Sequence, residues 1–133
     1  MSTDGPHAGA VFTGTGDGAI WRVSADGARA DRVADTGGRP LGIELDVDGR
    51  LLVCAAYRGL LRVDAGSGGV EPVTDSGDGV RMVFCNNAAI ARDGTVWFSD
   101  SSRSYGIDDW RGDIATATRS GRLLRLDTDG TVT

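Results

Sequence analysis

A set of short apolar segments recurs along this sequence in one order. Ala10-Val-Phe-Thr, Ala19-Ile-Trp-Arg-Val23 and Val33-Ala-Asp35 return about 40 positions on as Leu51-Leu-Val-Cys, Gly59-Leu-Leu-Arg-Val63 and Val73-Thr-Asp75. The order comes back once more. Asp48-Gly-Arg-Leu-Leu-Val53 is matched by Asp93-Gly-Thr-Val-Trp-Phe98, and Leu61-Arg-Val-Asp64 by Leu124-Arg-Leu-Asp127, with an insertion at 101–120 between the last two matches. A unit of this size cannot bury its apolar face alone, so successive units must stack on one another.

Each unit reads as short strands split by turns. Ile43-Glu-Leu-Asp-Val47 and Ala88-Ala-Ile-Ala91 alternate, and each is followed by an Asp-Gly that turns the chain back. Leu51–Val53 and Val96–Phe98 are continuous apolar runs, the pattern of a strand covered on both faces. Leu60–Asp64 and Leu123–Asp127 form a third strand, and Val70–Val73 an outer fourth, where Pro72 costs no needed donor. No apolar stripe of helical period persists for three turns. Four short strands in about 40–45 residues is the spacing of a propeller blade. The expectation is an all-β chain of β-propeller blades built as four-stranded antiparallel sheets, forming one partial propeller over 1–133. Its units run approximately 10–40, 41–85 and 86–133, and a β-sandwich or solenoid would not explain the self-match. Trp21, Leu61 and Leu124 occupy matched points and are expected to be buried between sheets. Val33, Val53 and Phe98 are expected to line the two terminal faces, which would make a homodimer completing the ring a natural partner arrangement.

Composition narrows the chemistry. The chain has 21 glycines, many in dipeptides such as Asp-Gly and Gly-Gly rather than in a low-complexity run, which is turn chemistry repeated many times. A net charge of −5 and the absence of a basic cluster argue against nucleic acid. All 14 basic residues are arginine, so Schiff-base chemistry, pyridoxal phosphate attachment and a Walker A loop are excluded for want of a lysine amine. Gly14-Thr-Gly-Asp-Gly18 is glycine-rich but opens no helix, so it is not read as a phosphate loop. Cys54 and Cys85 lie in apolar strand-like segments without CxxC spacing; they read as buried reduced thiols, with a disulfide or reactive thiol as the alternatives. The start, 1–9, shows neither an export nor a transit pattern, and no apolar run approaches a membrane span, so the expected location is cytoplasmic.

Several motifs stand in fixed order: Gly38-Arg-Pro-Leu-Gly42, Ala56-Tyr-Arg-Gly-Leu60, Phe84-Cys-Asn-Asn87, Phe98-Ser-Asp-Ser-Ser102 and Gly121-Arg-Leu-Leu-Arg-Leu-Asp127. Together they resemble the strictosidine synthase-like proteins of the superfamily of six-bladed propellers that also holds gluconolactonases, the senescence marker protein and paraoxonases. The resemblance runs over nearly all of 9–133 and accounts for about three of six blades. It implies a central channel with a divalent metal, usually calcium, held at its mouth by oxygen ligands from several inner strands. It further implies metal-assisted hydrolysis of a lactone or ester as the parent activity. The alternatives are a non-catalytic scaffold or small-molecule binding module with a decayed metal set, and an amine–aldehyde condensation of the strictosidine synthase type.

Carried over residue by residue, the resemblance makes Asn86 a metal ligand. Asn87 stands where most relatives have Asp, Ala55 where an Asp is expected, and Gly5-Pro6-His7 where the family has Gly-Pro-Glu. Asn87, Tyr57 and Asp100 are candidate channel-side residues. On their own chemistry, Asn86 and Asn87 also suit a strand-start turn, Tyr57 a core position and Asp100 a structural hydrogen-bond role. His7, the single histidine, has no nucleophile partner that the sequence can identify. Asp108-Asp109 beside Trp110 reads as a solvated loop within the insertion.

Overall fold

The structure is a computed structural model, and it describes residues 7–133. Gly5 and Pro6 lie outside the described residues. The first sheet is β1 (Val11–Gly14), β2 (Ala19–Val23) and β3 (Ala30–Asp35). The second has four strands, β4 (Pro40–Leu45), β5 (Leu51–Ala55), β6 (Gly59–Val63) and β7 (Val70–Thr74), in sequence order. A two-strand ribbon, β8 (Ser76–Gly77) and β9 (Val80–Arg81), leads to the third sheet, β10 (Cys85–Ile90), β11 (Val96–Asp100) and β12 (Arg122–Leu126). Every pairing is antiparallel. The chain is therefore built of blade-like sheets as expected, but of three or four strands each. In the third sheet a single bridge, Leu126 to Val132, marks the position of the outer strand.

The Asp-Gly turns share one device. At Asp26, Asp48, Asp93 and Asp129 the side-chain carboxylate accepts the backbone N–H two residues on, at 2.9–3.2 Å. The glycine that follows each has φ between 71° and 88°, a conformation that side chains with a Cβ resist. Those N–H groups hold the carboxyls of Asp93 and Asp129 below the usual carboxylate range.

Strand registers place the repeat on a firm footing and correct it by one residue. Thr13 pairs with Trp21 as Val53 pairs with Leu61, so Val11 corresponds to Leu51, where the sequence match had set Ala10 against it. The side-chain period of two then assigns every residue a face. Ile20 from sheet 1 packs with Leu51, Val53, Leu61 and Val63 from sheet 2 in one core. Leu52, Cys54 and Leu60, on the other face of sheet 2, pack with Val96, Phe98, Leu124 and Leu126 from sheet 3 in a second core. This sandwiched position is why β5 is buried at every residue.

Two expectations fail for a common reason. Leu61 and Leu124 are buried between sheets, but Trp21 is only partly buried, because the matched face of sheet 1 has no described sheet in front of it. Val53 and Phe98 lie in the inter-sheet cores and Val33 packs at the edge of one of them. The residues that line the open faces are instead Val11 and Trp21 on sheet 1, and Trp97 and Leu123 on sheet 3.

The two cysteines are free and both fully buried in the core between sheets 2 and 3. Cys54 beside it, and its burial, push the Cys85 thiol far above the usual range. Native protein at pH 8 is accordingly expected to leave both thiols unreactive towards a disulfide reagent until denaturant is added. Rapid reaction of either thiol in the folded state would contradict this packing.

Candidate functional site

Inner strands β4 and β10 lie side by side, and both break register at the same point of the repeat. In β4 the shift falls between Pro40 and Ile43; in β10 it falls between Cys85 and Ala88. Asn86 and Asn87 therefore occupy a β-bulge, where an extra residue bends the strand and re-aims its side chains. Gly42, at the matched bulge of β4, makes the close approach possible. A Cβ built there would come within 2.7 Å of Asn87 Oδ1 and 2.9 Å of the Asn86 carbonyl oxygen. Sequence reasoning used Gly42 only as part of a motif, although a glycine inside a strand already signals a bulge or a close backbone approach.

The motif Phe98-Ser-Asp-Ser-Ser102 builds the surroundings of the bulge, each polar residue with a separate task. The Asn87 backbone N–H donates to Ser99 Oγ at 3.2 Å, covering a group that the bulge would leave unpaired. Ser101 Oγ accepts from Asn86 Nδ2 at 3.0 Å, which holds the amide and its orientation. Among the described residues Asn86 Oδ1 accepts no hydrogen bond, so the carbonyl end of that half-buried amide is left for other partners. Ser102 Oγ accepts the backbone N–H groups of Ser104 and Tyr105, both at 3.1 Å, and donates to Asp113 at 2.7 Å. This ties down the insertion.

Asp100 is fully buried, and its oxygens are engaged within the protein. Oδ1 accepts the N–H groups of Val83 (3.1 Å) and Phe84 (2.8 Å); Oδ2 accepts Arg122 Nη2 (2.8 Å) and Nε (3.3 Å). Arg122 also donates to the carbonyls of Gly77 and Val80, closing the ribbon onto sheet 3. Nothing in the sequence singles out Arg122; its signal is the cross-strand register that sets it opposite Asp100.

The insertion keeps Asp108 and Asp109 exposed, as a solvated segment would, and has local structure of its own. It contains a 3₁₀ turn (Ile107–Asp109) and a short helix, α1 (Trp110–Thr116). The turn brings Asp108 to Tyr57, whose hydroxyl donates to Asp108 Oδ2 at 2.6 Å, and within 3.9 Å of Arg39. Asp108 as acceptor raises the Tyr57 hydroxyl above the usual phenol range. Tyr57 is half-exposed rather than a core residue. Pro40 opposite Ala55 and Cys85 opposite Asp100 set Arg39, Tyr57, Asn86 and the insertion at one common end of the sheets.

A calcium ion takes six to eight oxygen ligands with charge among them. Among the described residues the structure offers Asn86 Oδ1, and no group of three His, Cys, Asp or Glu side chains is arranged to hold a metal ion. The described residues do not by themselves fit such an ion. No helix among them is long and apolar enough to cross a membrane.

Comparison with known proteins agrees with the resemblance. The chain is 33% identical over 129 residues to protein strictosidine synthase-like 6 of Arabidopsis thaliana, covering 94% of this chain and 35% of that protein. It is 34% identical over 137 residues to the adipocyte plasma membrane-associated protein of Salmo salar, covering 90% and 32%. A solved structure provisionally assigned as a gluconolactonase superposes with a TM-score of 0.65 at 29% identity, covering 87% of this chain and 40% of that one. No protein-family model matches the chain. The chain thus spans about a third of the length of the curated relatives it matches.

Proposed function

We propose that this chain, a partial propeller homologous to strictosidine synthase-like, adipocyte plasma membrane-associated and gluconolactonase-like proteins, forms part of a channel mouth that takes a small lactone or ester for hydrolysis. The observation that carries the reading is the Asn86 amide on its bulge: its nitrogen is anchored by Ser101 and its carbonyl oxygen has no protein donor among the described residues. An amide fixed in this way is pre-oriented towards whatever enters the mouth. In the relatives' activity a metal ion would polarise the substrate carbonyl. No step is assigned to a metal in this chain, since among the described residues no group of carboxylates is arranged to hold such an ion.

The test is hydrolysis of a panel of small lactones and aryl esters, with and without added calcium, by the wild type and by Asn86→Ala. The reading expects turnover in the wild type and a fall in kcat/KM of about 10-fold or more in the variant at unchanged Tm. Absence of turnover on every substrate would overturn it. A second reading, a binding module without catalysis, is favoured by the lack of a carboxylate cluster among the described residues. It predicts saturable binding of such a compound without turnover, lost in Asn86→Ala.

A further inference from the structure

A cleft of about 170 Å³ lies between the insertion and the strand ends around Asn86, lined by Phe84, Ser101, Ser102, Trp110, Asp113 and Ile114. Ser101 joins it to the bulge, since the same residue lines the cleft and holds Asn86 Nδ2 at 3.0 Å. Phe84 stands two residues before Asn86, and its carbonyl accepts the Ser101 N–H at 2.8 Å. The short helix α1 supplies the other apolar lining, Trp110 and Ile114. Two contacts fix α1 there. Asp113 accepts the Ser102 hydroxyl at 2.7 Å, and Gly112 lets the Tyr105 ring lie against the helix, where a Cβ would collide with it.

Apolar and aromatic lining with a few placed polar groups is the make-up of a small-molecule site. Neither Trp110 nor Ile114 belongs to an inter-sheet core, so the packing of the described sheets does not account for their apolar character. An apolar cavity of about 150 Å³ takes one benzene ring, so the cleft has the size for a single aromatic ring. The hydroxyls of Thr118 and Ser102 hold the Asp113 carboxyl below the usual carboxylate range. The cleft therefore carries a negative charge at neutral pH and disfavours an anionic occupant.

We infer that the cleft receives a neutral aromatic ring of the same molecule whose polar group meets Asn86 Oδ1, an assignment that rests on the reading of Asn86 as a substrate contact. Asn86 Oδ1 is an acceptor, so the group that meets it carries an N–H or O–H. The insertion, which the other two units lack, thereby selects among the compounds that the mouth takes.

The test is a chemical-shift titration by nuclear magnetic resonance with phenylacetamide, which has a neutral ring, an N–H donor and no ester to hydrolyse. The Trp110 indole N–H reports the ring and the Asn86 side-chain amide reports the polar end. Phenylacetamide should bind about 10-fold or more tighter than acetamide, which lacks the ring, and about 10-fold or more tighter than phenylacetate, which is charged. Ile114→Trp fills the cleft from a position that is 68% exposed, so the strand content seen by circular dichroism should not change. This variant should remove the advantage of the ring and leave acetamide binding as it was. Asn86→Ala should weaken both amides and keep that advantage. Equal affinity for phenylacetamide and acetamide, phenylacetate bound as tightly as phenylacetamide, or a ring advantage that survives Ile114→Trp would each overturn the assignment of the cleft. A ring advantage lost in Ile114→Trp, with both amides indifferent to Asn86→Ala, would instead overturn the reading of Asn86 and leave the cleft as a ring site.

Discussion

Asp100→Ala is expected to lower the free energy of unfolding by about 3–5 kcal/mol, the cost of leaving one partner of a buried ion pair alone. The carboxylate is wholly inaccessible and Arg122 is 15% exposed, so the guanidinium left behind would have little water to replace its partner. The same change strips the acceptor from the Val83 and Phe84 N–H groups, where the crossover from sheet 2 enters sheet 3. Urea denaturation at fixed protein concentration measures the effect as a drop in midpoint with unchanged slope. Asp100→Leu combined with Arg122→Leu should cost much less than the sum of the two single changes, because no charge is then stranded. A loss below about 1 kcal/mol for Asp100→Ala would mean that the pair is better hydrated than its geometry indicates.

Phe98→Ala should be comparably severe, at about 3–5 kcal/mol. Phe98 is 1% exposed and sits between Leu52 and Leu60 of sheet 2 and its own neighbour Leu124. Removing the ring takes away apolar burial and opens a cavity at the junction of two sheets that cannot collapse without moving both. Val47→Ala supplies the contrast: Val47 is 90% exposed, and its truncation should stay within about 0.5 kcal/mol of the wild type. Equal effects for the two would contradict the assignment of faces on which the inter-sheet cores are described. With net stabilities of about 5–15 kcal/mol for domains of this kind, either large change removes a substantial part of the margin.

The repeat in the sequence was sufficient for the sheets, their order and the buried character of β5. Alternation with a period of two, Asp-Gly at the turns and an apolar strand covered on both sides are local signals, and each is written within a few residues. The resemblance rests on motifs in order, and the choice of Asn86 as a candidate came from that resemblance. Three things were not legible. The bulges at Leu41-Gly42 and Asn86-Asn87 depend on one extra residue relative to a partner strand, which only the pairing of β4 with β5 and of β10 with β11 reveals. Arg122 looks like any strand arginine until the register sets it against Asp100. Asp108 meets Tyr57 across 51 positions of chain, through an insertion that carries no part of the repeat. What the sequence settled by itself is therefore what nearest neighbours and strand period encode. Which apolar face looks inward and which stays open was decided by the tertiary structure, because a face is buried only by the sheet that happens to stand in front of it.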